Sequence, residues 1–342
     1  MGRSAGEVKA SVESLEEGVP VLRVHSAGGI QGAVAFASGC APDILHVHHG
    51  MLWDFTEGVQ KILHIPALKS VHVLQAESSR LLGVQVETLS LKTQRTALAG
   101  AEAVTVPTRA AAGILARDHP SSAPKLRIIP FGVDDSESIR QAVRAHEYGP
   151  PGPLLYVGRF SEIKGTPDFF HALCHILPRH PEVPVVVAGG IPDSRKMEAR
   201  WKRKLTNILP ESLRGRVEFT GWVSGKELAS LYSTARLLVS PSRLETYGLA
   251  VLEGMLYGLP VVGTETPGTT DLVVHGRTGL LSSPGDPRRF AHHILELLAN
   301  IERARQMGQY GAEAIRNTRL WSHIVPDLVA VYRELLSPSK RF

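Results

Sequence analysis

The chain has 342 residues, 43% hydrophobic and 21% charged, which leaves enough apolar material for a real core and excludes wholesale disorder. Its length is that of two ordinary domains. The net charge is +5, but only 6% of residues are aromatic and no nucleic-acid motif accompanies the basic excess, which argues against a nucleic-acid partner.

The two cysteines, Cys40 and Cys174, are far apart and offer neither metal spacing nor a disulfide framework, as in a reducing compartment. No stretch reaches the roughly 18 to 20 continuous apolar residues of a membrane-spanning helix. The first residues carry Glu7, Glu13, Glu16 and Glu17 in place of an apolar signal core. The expected location is the cytoplasm.

Short β-branched runs punctuate the first half at "DILHVHH" (43–49), "ALKSVHVL" (67–74), "AEAVTVP" (101–107) and "KLRIIPFG" (125–132). Those of the second half are "PLLYVGR" (153–159), "VPVVVAGG" (183–190), "RVEFTGW" (216–222), "ARLLVSPS" (235–242), "LPVVGTE" (259–265) and "GLLSSP" (279–284). Such runs read as parallel strands buried on both faces. Helical patterns such as "TPDFFHALCHILPRH" and "GKELASLYSTA" alternate with them, the rhythm of an α/β fold. The break at "AHEYGPPGPLL" (145–155) predicts an interdomain linker. Two α/β halves with a cleft between them follow, and ligands sit outside the carboxyl ends of such strands.

Four stretches of the second half carry chemistry. In "YVGRFSEIKGTPDFF" (156–170) a strand ends at Gly158, Arg159 and Lys164 follow five residues apart, and Thr166 is expected to cap a helix with Pro167 at its first position. Two cations beside a helix start suit a diphosphate, or else make a solvated turn. In "SRLETYGLAVLEGMLYGLPVVGT" (242–264) Glu245 falls in a loop and Glu253 inside a helix. The backbone N–H groups from Tyr247 through Gly248 to Leu249 are set to cradle a phosphate. A carboxylate at Glu253 can accept from a ribose diol, or else pairs with a neighbouring cation; Glu245 can steady positive charge on a sugar ring. "GTETPGTTDLVVHGRTGLL" (263–281) holds a Gly-containing turn into a helix and a tight turn back into a strand, the latter read as packing. In "FTGWVSGKELASLY" (219–232) Trp222 and Val223 either flank a base or belong to the core. The basic run "DSRKMEARWKRKL" (193–205) is a solvated helix face or a patch for anionic substrate or lipid.

Taken in order from residue 153 to about 300, "YVGRFSEIKG", "VVVAGG", "VEFTGWVSGKELASLY", "LLVSPSRLETYGLAVLEGMLYGLPVVGTETPGTTDLV" and "HGRTGLLSSPGD" resemble the nucleotide-binding domain of retaining glycosyltransferases of the GT4 family, with the E-x7-E pattern on Glu245 and Glu253. The resemblance implies the GT-B architecture: two Rossmann-like parallel-sheet domains facing a cleft. It implies Arg159 and Lys164 on the donor diphosphate, Glu253 on the ribose, Glu245 near the donor sugar, the amides of Tyr247, Gly248 and Leu249 on the distal phosphate, and no metal or other cofactor. More loosely, "PDILHVHHG" is similar to the family strand ending in His-x-His, placing His48 and His49 on the acceptor side. "ALKSVHVLQ" is similar to the strand whose terminal histidine, here His72, faces the reaction centre. "AEAVTVPTRAAAGIL" and "KLRIIPFGVD" match the segments before the linker, and "TRLWSHIVPDLVAVYREL" resembles the closing helix that returns to the first domain.

The implied domains are 1–148 on the acceptor side, 149–318 for the nucleotide sugar and 319–342 as the closing helix. The first is expected to lack its opening strand and Gly-rich loop, because "EEGVPVLRVHS" fits a later strand of the family; the alternative makes "VPVLRVHSAGGIQGAVAF" a shortened first strand with Gly28 and Gly29 as the loop. The implied reaction transfers a sugar from a nucleotide diphosphate sugar to an acceptor hydroxyl of a small molecule, lipid or glycan, with retention, Glu245, His72, Lys164 and Arg159 carrying the chemistry. Peripheral membrane contact fits this picture. The rival reading is a catalytically impaired relative that only binds nucleotide or a partner.

Overall fold

The structure, a computed structural model, describes residues 11–14, 20–23, 43–48, 60–61, 63–71, 89–145, 152–191 and 194–337. Two short strands, β1 (Ser11–Ser14) and β2 (Pro20–Arg23), pair antiparallel. Among the described residues neither joins a larger sheet, so "VPVLRVHS" supplies β2 of a hairpin and not the opening strand of the first parallel sheet.

That first sheet runs β3 (Leu45–Val47), β4 (Ala67–Ser70), β5 (Ala103–Val106) and β6 (Leu126–Ile128), parallel and in chain order. α1 (Leu89–Gly100) leads into β5, and α2 (Arg109–Asp118) leaves it. Thr108 caps α2, its Oγ1 accepting from the Ala111 amide at 3.1 Å. α3 (Glu137–Ala145) ends where the linker was expected.

The second sheet is larger. Its elements are β7 (Leu154–Val157), α4 (Thr166–Ile176), β8 (Val185–Ala188), α5 (Arg195–Thr206), β9 (Val217–Gly221), α6 (Gly225–Thr234) and β10 (Leu237–Ser240). α7 (Leu249–Leu256), β11 (Val261–Thr264), α8 (Pro267–Leu272), β12 (Gly279–Ser282), α9 (Pro287–Ala299) and α10 (Ile301–Thr318) complete it. The six strands are parallel in the order β12-β11-β10-β7-β8-β9. β8, β11 and β12 are buried at every position, which is why their sequences are near-continuous Val, Leu, Ala and Gly without alternation. One face of the sheet packs Phe169, Phe170 and Leu173 of α4 against Phe290 and Ile294 of α9. The other packs Val251, Leu252 and Met255 of α7 with Tyr232 of α6. Each such side chain contributes about 1.5 to 3 kcal/mol by leaving water.

The chain then crosses back. Val133 and Leu320 form a parallel bridge, with the Val133 amide donating to Arg319 O at 2.9 Å and the Trp321 amide to Val133 O at 3.2 Å. α11 (Trp321–Leu336) follows and covers the first sheet, where Val331 and Leu335 meet Leu68 and Ala103. Arg127 of β6 donates to both carboxylate oxygens of Glu334, at 2.6 and 3.0 Å. No helix among the described residues is long and apolar enough to cross a membrane.

Candidate functional site

Because every strand of the second sheet points the same way, the loops after β7, β9, β10 and β11 all open along one edge. The chain lays β7 first, builds β8 and β9 to one side, then returns to place β10, β11 and β12 on the other. The strand order therefore reverses between β7 and β10, the crevice in which open α/β sheets bind their ligands.

Two loops meet at this crevice. Lys164, after β7, and Glu245, after β10, lie 2.5 Å apart, Nζ to Oε2. The loops are tied at two further points: the Arg243 amide donates to Ile163 O at 2.7 Å, and the Arg243 guanidinium forks onto the mostly buried Asp168 at 2.7 and 2.8 Å. Gly165 enters between them. Its φ is +60°, and a Cβ there would sit 1.8 Å from Pro241 O, so only glycine lets the two backbones approach. Gly165 is also the N-cap of α4, which corrects the expected cap: Thr166 is already the first helical residue. The Thr166 hydroxyl instead accepts from the Ser161 amide at 3.2 Å and bonds Tyr156 Oη at 3.0 Å, which holds the loop's shape. Arg159 shares this loop with an exposed side chain, and its carbonyl accepts from Tyr156 Oη at 3.0 Å.

The loop after β10 becomes α7 through Gly248, in the left-handed region at φ +95°. No side chain caps this start, so the amides at Gly248 and Leu249 keep the free N–H groups and positive dipole end that suit a phosphate. A Cβ on Gly248 would touch Glu245 Cγ at 3.4 Å, which places that start beside the Lys164–Glu245 pair. Glu253 lies on the same helix, and its Oε2 accepts from the buried Tyr232 hydroxyl at 2.9 Å. Burial pushes the Glu253 carboxyl above its usual range, and the Tyr232 bond pulls it partly back. Its partner is thus a phenol, not the cation of the alternative reading. Glu253, Tyr232 and Tyr257 line a hollow whose far wall is Val133, Asp134 and Ile139.

Tyr247 serves differently from its neighbours, since its buried side chain donates to Phe131 O of the first half. Thr108 Oγ1 reaches Thr246 O at 3.4 Å across the same gap, so the carboxyl edges of the two sheets face each other. Trp222, 58% exposed beyond β9, is not a core residue, and Val223 beside it is half-buried. At the end of β3, His48 is exposed with its ring 4.1 Å from that of His46. His46 bonds Tyr332 Oη and Ser70 Oγ, each at 2.7 Å, so it fastens α11 to the first sheet. His49 and His72 lie outside the described residues.

Sequence reasoning missed Tyr232, which reads as one more apolar position of an amphipathic helix, and the Arg243–Asp168 fork, whose partners are 75 positions apart. It also missed Lys69 on β4, only 3% exposed, donating to Val47 O at 3.3 Å and pushed down to about 8 by burial. The signal for Lys69 was visible as a lone cation inside the β-branched run "ALKSVHVL".

Two parallel-sheet domains with facing carboxyl edges and a closing helix returned to the first are the architecture of GT-B glycosyltransferases. Residues 152–300 match the model of the family described as glycosyl transferases group 1. Among curated relatives, D-inositol 3-phosphate glycosyltransferase of Corynebacterium urealyticum is 25% identical over 311 residues, 87% of this chain and 72% of that protein. Spore coat protein SA of Bacillus subtilis is 25% identical over 229 residues, 63% of this chain and 60% of that one. Among solved structures, sucrose-phosphate synthase from Thermosynechococcus elongatus superposes with a TM-score of 0.79 at 24% identity, covering 95% of this chain and 85% of its own. Anabaena HepE in complex with UDP-glucose gives 0.74 at 18% identity, covering 89% and 82%. At these identities the superpositions speak for the fold.

Proposed function

We propose that the chain transfers a sugar from a nucleoside diphosphate sugar to an acceptor hydroxyl, with retention at the anomeric carbon and without a metal or other cofactor. The observation that carries this reading is the meeting of Lys164 and Glu245 at the switch point, beside the uncapped start of α7. In it, Arg159, Lys164 and the amides of Tyr247, Gly248 and Leu249 hold the diphosphate, Glu253 accepts from the ribose diol, and Trp222 and Val223 flank the base. The acceptor oxygen bonds to the anomeric carbon on the face the diphosphate leaves. The bond from that carbon to the phosphate oxygen breaks, and the departing diphosphate takes the acceptor proton. Arg159, Lys164 and the helix dipole stabilise the charge gathering on the diphosphate, the task a metal performs elsewhere. Glu245 steadies the positive charge on the sugar ring. His72 orients the sugar or the acceptor, and His48 and His49 lie on the acceptor's approach.

In this division of labour residues 1–148 receive the acceptor, 149–318 hold the donor and 319–342 close the molecule, in a reducing, cytoplasmic setting. The acceptor is a hydroxyl of a small molecule, lipid or glycan. The HepE complexes contain UDP-glucose and UDP, which makes a uridine diphosphate sugar the first donor to try.

The test is turnover of nucleotide sugars with and without a chelator, in the unaltered chain and in Lys164→Ala and Glu245→Ala. Transfer that survives chelation, and falls by about a hundredfold or more in both folded variants, is the expected result. Undiminished turnover in either variant removes the mechanism.

A further inference from the structure

The basic run of the sequence forms α5, and its charges are unevenly placed. Arg195, Lys196, Arg200 and Arg203 are all exposed, and none has an acidic partner among the described residues. The two remaining lysines of the helix are neutralised: Lys202 pairs with Glu198 at 2.8 Å and Lys204 with Glu162 at 2.5 Å. Glu198, the only carboxylate of α5, is half-buried against the Ile191 amide.

A merely solvated helix face alternates charges so that i,i+4 pairs attract. Here the exposed face repeats one sign. Arg195 and Lys196 moreover stand in the first turn, where the helix dipole disfavours cations. Arg203 stands in the last turn, where the dipole favours a cation, but the stability of α5 does not account for Arg195, Lys196 and Arg200, whereas a negatively charged surface accounts for all four.

The neighbouring side chains indicate what kind of surface. Met197 is 44% exposed on the same helix and supplies an apolar contact. The one aromatic residue, Trp201, is half-buried with Lys204 Nζ 4.7 Å over its ring, so the face lacks the stacking platform that single-stranded nucleic acid needs. The Lys204–Glu162 bond ties α5 to the loop carrying Arg159 and Lys164. We infer that the outer face of α5 docks the protein on a membrane surface bearing anionic lipid, through Arg195, Lys196, Arg200 and Arg203 with Met197 at the apolar boundary. The inference stands without the proposed reaction.

The test is co-sedimentation of the full chain with vesicles of phosphatidylcholine mixed with phosphatidylglycerol, against vesicles of phosphatidylcholine alone. The full chain binds the anionic vesicles and is released by high salt. Combined substitution Arg195→Gln, Lys196→Gln, Arg200→Gln and Arg203→Gln weakens that binding by at least about tenfold, each cation adding to the attraction. Arg288→Gln with Arg289→Gln, which removes exposed cations from α9, leaves it unchanged. Unaltered melting temperatures show that the variants fold. Equal binding to the neutral vesicles, or full binding by the α5 variant, overturns the inference. So does single-stranded RNA that outcompetes the vesicles for the full chain, since it would assign the face to a different polyanion.

Discussion

The hydroxyl of Tyr232 occupies one acceptor site of Glu253 and leaves the rest of that carboxylate for a ligand. Replacing it with Phe keeps the packing and removes one bond to a charged group, an interaction worth about 1.5 to 3 kcal/mol. Tyr232→Phe is expected to weaken nucleotide binding by about tenfold, read by calorimetry, while turnover at saturating donor changes little. The same bond opposes the burial that raises the Glu253 carboxyl. As pH falls through that raised value the carboxylate is lost and nucleotide affinity falls with it; in Tyr232→Phe the loss begins at higher pH. Lys69 makes the opposite kind of prediction. Its amine falls from 10.5 to about 8 on burial, so between those values the unfolded chain binds more protons than the folded one. Stability carried by this residue therefore rises as pH climbs from 8 towards 10.5. Lys69→Met removes that rise and stabilises the protein at pH 7 by roughly 1 to 3 kcal/mol, because no charge then has to be desolvated. Melting curves from pH 7 to 10.5 check both statements.

At the scale of the elements, the strands were legible as short apolar runs, and all ten expected runs became strands of the two sheets, although β3, β6 and β9 are only partly buried where burial on both faces was expected. The turn after β7 was legible only in part. A threonine before proline reads as a cap, but the chain spends Thr166 on the inside of its own loop and leaves the N-cap to Gly165, whose conformation answers to the distant Pro241. The spacing of Arg159, Lys164, Glu245 and Glu253 could be read along the chain. The contact between Lys164 and Glu245 could not, because it arises from the reversal of strand order, a property of the whole sheet. Gly165→Ala tests this coupling. It forces a Cβ against Pro241 O and a left-handed conformation on an L-residue, so the melting temperature is expected to fall by several degrees, about 2 kcal/mol or more. Nucleotide affinity should fall in the same variant, because Lys164 is the residue immediately before it. Loss of stability with unchanged affinity would show that the loop positions nothing.

At the scale of the whole molecule the two halves are fastened at the crossing, where Trp321 lies over Gly132 and the Val133 and Leu320 backbones pair. Asp271 holds Arg319 at 3.0 Å and Asp135 holds Arg316 at 3.2 Å on either side. Trp321→Ala strips the ring from this crossing. We expect a loss of about 2 kcal/mol, less than for a fully buried tryptophan because Trp321 is 38% exposed, together with faster proteolysis around residues 129–137. Proteolysis at an unchanged rate would show that the ring does not brace the crossing. The helix that follows has a further consequence for how the protein is made. Arg127 and Glu334 join 207 positions apart, and Leu68 and Ala103 lie beneath Val331 and Leu335. A ribosome delivers the early strands long before the segment that shields them, so this patch of oily surface stays wet throughout synthesis of the second sheet. The nascent chain must carry that exposed patch, with or without a chaperone, until its final helix emerges.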